Sequence, residues 1–227
     1  MRKCDDFGFI TGIIRWVLNI GSDFPSRFFL GKRSELKLPK APSELLAYAR
    51  SRSIKVELYI CAWITIEMAC FALCFVRPIP KLISIVVIVL MTLRIAEICL
   101  SNIDMGIFRV AGNPTVAQIL RILVLITINY SELWLCFAAL YGVNLSYVKN
   151  AADAWDAAYF SGVTQLTIGY GDLLPLGWLR LLVLVQGWIG TMFLLLILGR
   201  LIAAMPLLQE LRANQPIPDE RLEGDKV

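Results

Sequence analysis

Histidine is absent from all 227 residues, which removes imidazole triads, imidazole metal sites and imidazole pH sensing together. Neither G-x-S-x-G nor G-x-x-x-x-G-K-[ST] occurs, so the commonest hydrolase and nucleotide-binding signatures are missing as well. Charge is scarce too: 18% of residues are charged against 58% hydrophobic, with a mean hydropathy of +0.68. A chain of this composition cannot cover itself with a water-facing surface and reads as an all-α integral membrane protein. It is not expected to be an enzyme, to carry a cofactor or to bind nucleic acid.

The net charge is +4, and eleven of the 22 Lys and Arg lie between Arg2 and Lys55. That bias predicts a cytoplasmic N-terminus at the cell membrane. Five of the six cysteines, Cys61, Cys70, Cys74, Cys99 and Cys136, fall inside apolar runs, where free thiols pack as small hydrophobes.

Four stretches are long and apolar enough to span: Val56 to Val76, Leu82 to Leu100, Ile119 to Tyr141, and Trp178 to Met205. As helices they reach about 31, 28, 34 and 42 Å, against a hydrocarbon core of about 30 Å. Pro78 and Pro80 divide the first two into a tight helical hairpin. Four spans return the C-terminus to the cytoplasmic side. Phe7 to Ile20 is too short to span and reads as a helix on the inner membrane surface. Ser43 is expected to cap the helix entering the first span. The chain divides into a cytoplasmic region with that surface helix (1–54), the hairpin (55–102), a second membrane module (118–206) and a short cytoplasmic tail (207–227).

Between the last two spans, Ala154 to Leu166 predicts a helix of about 20 Å, enough to enter a membrane and not to cross it. The chain must turn back, so the following Thr167-Ile168-Gly169-Tyr170-Gly171-Asp172 should line a cavity or pore. A dehydrated K⁺ needs rings of carbonyl oxygens in place of its hydration shell. Consecutive carbonyls on one side require alternating backbone signs, which Gly169 and Gly171 adopt at little steric cost. Tyr170 must then turn its ring away from the ion path, where packing against the pore helix would brace the loop.

Tyr159-Phe160-Ser161-x-x-Thr164-x-x-Thr167-Ile168-Gly169-Tyr170-Gly171-Asp172, followed by Pro175, resembles the pore loop of the tetrameric potassium channel superfamily. The resemblance covers about Ile119 to Met205. It implies an outer helix, a pore helix, a filter binding K⁺ at Thr167, Ile168, Gly169 and Tyr170, and an inner helix. It further implies support of the filter by Tyr159, Phe160 and Thr164, and a gating hinge at Gly190. Leu166 stands where many members have a second Thr, and Val163 where some bacterial members have Glu. One loop per chain implies a homotetramer among membrane lipids, with K⁺ as the permeant ion. The spans before the pore hold only Arg94 and Arg121, so the family's usual array of voltage-sensing cations is not expected. No appended ligand-binding domain is expected in the 21 residues after Pro206.

Glu67, Arg94, Glu97 and Glu132 lie inside apolar spans, where an unpaired charge costs at least about 2.5 to 3.5 kcal/mol. Similar depth on adjacent spans predicts that Glu67 pairs with Arg94; Glu132 has no partner assignable from sequence. A structural ion pair and a gating or proton-sensing role both remain open for this group. Two alternatives stand beside a potassium channel: a weakly selective cation channel, and a non-conducting membrane subunit that regulates others.

Overall fold

The computed structural model describes the backbone of residues 42–103 and 116–213, and the side chains of residues 54–102, 122–202 and 205. The expected surface helix at Phe7 to Ile20, and the end of the tail, lie outside the described residues. Four long helices dominate: α1 (Pro42–Leu73), α2 (Lys81–Ile103), α3 (Val116–Val143) and α5 (Leu179–Ala213). The short α4 (Ala154–Gln165) stands between α3 and α5. Two-residue strands, β1 (Val148–Lys149) and β2 (Leu174–Pro175), pair antiparallel, with Val148 opposite Pro175 and Lys149 opposite Leu174. They are too short to leave a period in the sequence.

Each long helix contains a stretch able to cross a bilayer: Ile54–Leu73, Lys81–Asn102, Ile122–Val143 and Leu179–Ile202. The chain is thus an all-α membrane protein with the spans expected from its apolar runs. The third span lies at the centre: 44% of it is buried, against 17–28% for the others. Its C-terminal half, from Leu133 to Tyr141, is buried except at Trp134. The hairpin packs on one flank of α3, and α4 and α5 on another.

Two helix ends differ from expectation. The first helix takes Pro42 into its opening turn, so Ser43 is a helical residue and not the cap; proline suits that position because its missing N–H has no intrahelical partner there. The last helix does not stop at Met205 but runs through Pro206 to Ala213. The flanking Ala, Met, Leu, Gln and Glu are good helix formers, and their propensity outweighs the one bond a proline removes. Cys61 is exposed, whereas Cys70, Cys74 and Cys136 are buried; all five described cysteines are free.

The hairpin docks through close contacts at one end of α3. A Cβ on Gly142 would lie 2.7 Å from the Cys74 sulfur, so glycine is what admits α1 here. Arg77, in the turn between α1 and α2, donates to the Gly142 carbonyl at 3.1 Å. Phe71 and Phe75 both meet the Trp155 ring edge to face, which links the hairpin to the start of α4.

Deeper in the bundle, Arg94 on α2 gathers three carboxylates. Its Nη2 donates to Glu132 on α3, its Nη1 to Glu97 at 2.9 Å, and its Nε lies 3.5 Å from Glu67 on α1. The expected Glu67–Arg94 pair is present, and Glu132 finds its partner in the same cation. The Tyr59 hydroxyl donates to Glu97, and the guanidinium lies 5.0 Å from the centre of the Trp63 ring. Glu67, Arg94 and Glu132 are all buried. One cation therefore ties three helices together at a depth where none of the carboxylates could be left alone.

Arg94→Met should lower stability by about 3–5 kcal/mol, because it strands buried carboxylates. Glu132→Gln should cost more than Glu97→Gln, since Glu97 keeps the Tyr59 hydroxyl. Thermal unfolding in detergent measures these losses. In a double-mutant cycle, the Arg94 and Glu132 losses should fall short of their sum; simple additivity would contradict the pairing.

Candidate functional site

The short helix α4 is started by its own sequence. Asp153 caps it, accepting from the backbone N–H groups of Trp155 at 2.8 Å and Asp156 at 3.1 Å. Asp156 returns the bond by accepting from Asp153 N at 3.4 Å, and it also takes Ala152 N at 2.6 Å. This capping box satisfies donors at an end where the helix has no preceding turn. The face that carries Ala154, Ala157, Ala158, Ser161 and Gln165 is buried against the rest of the protein.

The helix ends at Gln165, Leu166 N still closes a helical bond to Gly162 O at 3.0 Å, and the chain is then caught by carbonyls of the last turn. Thr167 N donates to Thr164 O at 3.1 Å, while Ile168 N and Gly169 N both reach Val163 O, at 2.9 and 3.2 Å. Then φ turns positive at every second residue: +58° at Thr167, +57° at Gly169 and +82° at Gly171. The two glycines take the backbone conformation expected of them. Thr167 adds an inversion that residue type alone did not announce, because a β-branched side chain rarely enters that region.

The outer end of the loop is held differently. Asn150 donates its side-chain amide to Asp172 O at 2.8 Å, and Leu176 N donates to Tyr147 O at 2.8 Å beside the β1–β2 pair. A hydrogen bond between the Tyr159 hydroxyl and the Asp172 carboxylate raises the phenol's pKa, since a phenolate there would face a second anion. So the segment from Thr167 to Asp172 hangs between two anchored ends.

The supporting residues divide. Tyr159 reaches the outer end of the loop through Asp172, Thr164 holds the inner end by its carbonyl, and Phe160 is buried against the ring of Tyr141 at 5.0 Å. Tyr170 departs from expectation: it is 71% exposed and its ring is not buried against α4 of its own chain. Ile168 is exposed likewise. Among the described residues, none covers that side of the loop for either ring or branch to meet. Glu67, Arg94, Glu97 and Glu132 form the separate cluster around Arg94 and do not join this loop.

Gly190 lies where α5 crosses the end of α4. A Cβ there would come within 2.8 Å of the Gln165 carbonyl oxygen, so the glycine serves a close helix approach. Around that crossing lies a buried polar group that sequence reasoning missed. Gln186 on α5 donates to Ser161 O at 3.0 Å and Ser161 Oγ at 2.9 Å, and accepts from the Tyr141 hydroxyl at 2.6 Å. Gln165 donates to Tyr130 O at 2.6 Å, and the Tyr130 hydroxyl donates back to Gln165 O at 3.1 Å. One signal was available: Gln186 stands alone as an amide in the apolar run that opens α5.

Residues 129–205 match a family model described as an ion channel. No curated protein and no solved structure matches the chain. The matched stretch opens inside α3 and takes in α4, the 167–172 loop and α5 through Met205, so the site just described falls within the matched residues.

Gly190→Ala should destabilise the protein by about 1–3 kcal/mol, because the methyl group must displace backbone. Gly199→Ala, where an added Cβ meets nothing within 4 Å, should be neutral or stabilising by up to about 1 kcal/mol. Unfolding of the two variants side by side in detergent checks the contrast.

Proposed function

We propose that residues 167–172 are the selectivity filter of a potassium channel and that four copies of the chain close one pore. The observation that carries this reading is the positive φ at Thr167, Gly169 and Gly171, every second residue of a short non-helical loop. Alternating backbone sign brings successive carbonyls to the same side, which is what a dehydrated cation requires. The carbonyls of Thr167, Ile168, Gly169 and Tyr170 are the K⁺ ligands on this reading. The protein needs no cofactor for such conduction and acts as a passive pore, not an enzyme.

One loop supplies one side of an ion path, and a ring of carbonyls needs several copies around an axis. The exposed Ile168 and Tyr170 lie on the part of the loop that a neighbouring subunit would cover. So does an apolar cleft of about 550 Å³ beside α4, lined by Tyr130, Trp134, Trp155, Tyr159, Leu166 and Ile168. The homotetramer sits in the cell membrane with both termini cytoplasmic, as the basic N-terminal stretch favours. Gly190 can serve as a hinge only together with its close approach to Gln165.

Purified protein in liposomes should pass K⁺, be blocked by Ba²⁺ and discriminate against Na⁺ in reversal-potential measurements. Equal passage of Na⁺ and K⁺ would favour a weakly selective cation channel, and absence of flux a non-conducting subunit. Gly169→Ala should abolish K⁺ flux or admit Na⁺ while the tetramer still assembles, because a Cβ disfavours the positive φ in each of four subunits. Lys149→Ala should leave selectivity unchanged, its charge lying outside the loop and acting through a screened field. Normal selective flux through Gly169→Ala tetramers would remove this segment from the ion path.

A further inference from the structure

We infer that Gln186 is a positioning residue for the filter: from the inner helix it holds the C-terminal end of the pore helix, and thereby the carbonyls that begin the ion path. The inference rests on the potassium-pore reading and deepens it.

An amide in an apolar membrane helix must find partners inside the protein. Gln186 is 1% exposed, and both ends of its amide are occupied. Its oxygen accepts from Tyr141 on α3, and its nitrogen donates to Ser161 on α4 and reaches Gln165 Oε1 at 3.3 Å. Ser161 in turn donates its hydroxyl to Trp134 O at 2.9 Å, and the Trp134 indole donates to Ala158 O at 2.9 Å. Gln165 is tied to Tyr130 through both side chain and carbonyl. The last turn of the pore helix is thus clamped between outer and inner helices, with Gln186 as the polar tie from the inner one. Gly190, one turn further along, lets the helix come close enough for that tie to form.

The consequence for the filter follows from where its own bonds lie. Thr167 is two residues beyond Gln165, and the inner end of the loop hangs from the Val163 and Thr164 carbonyls, on the turn that Gln165 closes. An added Cβ at Gly169 or Gly171 would meet nothing within 4 Å, so no described residue of the chain packs against the middle of the loop there. A displacement of the pore-helix end is therefore passed to the first carbonyls without resistance from neighbouring side chains. Ion discrimination by such carbonyls depends on the cavity they form or on their number and field, and both change with their placement.

The test compares wild-type, Gln186→Met and Tyr141→Phe channels in planar bilayers by reversal potential with K⁺ on one side and Na⁺ on the other. Gln186→Met keeps the volume and removes the amide; it should raise Na⁺ permeability relative to K⁺ by about fivefold, the ratio one net hydrogen bond is worth. Tyr141→Phe should shift the ratio in the same direction, since it frees the Gln186 oxygen and leaves Gln186 in place. The Gln186→Met/Tyr141→Phe double variant should shift it no further than Gln186→Met alone, because the bond from the Tyr141 hydroxyl is already lost with the amide. Lost packing alone would lower thermal stability without moving the reversal potential. Unchanged ratios in assembled Gln186→Met channels, or in Tyr141→Phe channels if the first fails to assemble, would overturn the positioning role. Wild-type channels that pass Na⁺ and K⁺ alike would instead overturn the potassium reading on which it rests.

Discussion

A chain that stops being helical between apolar helices has to satisfy its freed N–H and C=O groups from within the protein, and this constraint governs the stretch from α3 to α5. Helix α4 has 12 residues, too few to cross a bilayer, and an irregular loop follows it. The solution is local at one end and tertiary at the other. Val163 and Thr164 take the next N–H groups of the chain, while Tyr130 and Gln186 hold the helix end from α3 and α5, Gln186 through Ser161. Buried polar side chains in the outer and inner helices are thus the counterpart of an irregular backbone between them.

The same economy explains the hairpin. Arg94 and the carboxylates of Glu67, Glu97 and Glu132 would each be costly in isolation, and together they join α1, α2 and α3. The cluster lies apart from the 167–172 loop, yet α3 belongs to both: it carries Glu132 toward the hairpin and Tyr130 and Trp134 toward the pore helix. Small residues set the distances at both contacts, Gly142 against Cys74 and Gly190 against Gln165.

Much of this was legible in the chain. Apolar length alone located four spans, since nothing else lets a helix cross a bilayer, and the shortness of the Ala154 to Leu166 helix required the chain to turn back. Glycines at alternate positions announced the inverted backbone at 169 and 171. The inversion at Thr167 was not legible, because residue type argues against it and only the bonds to Val163 and Thr164 impose it. The end of the last helix was not legible either: the apolar run stops at Met205, while the helix continues to Ala213.

The spans, the short α4 and the glycine-alternating loop after it were determined by the sequence itself, because each follows from hydropathy, helix rise or the stereochemistry of single residues. Which groups meet was decided only in three dimensions. Glu132 lies 38 residues from Arg94, Gln186 lies 21 from Gln165, and Tyr141 lies 45 from Gln186. No periodicity within a helix records such pairings; they depend on how far one helix slides and turns against another, and that is set where glycines let the helices close.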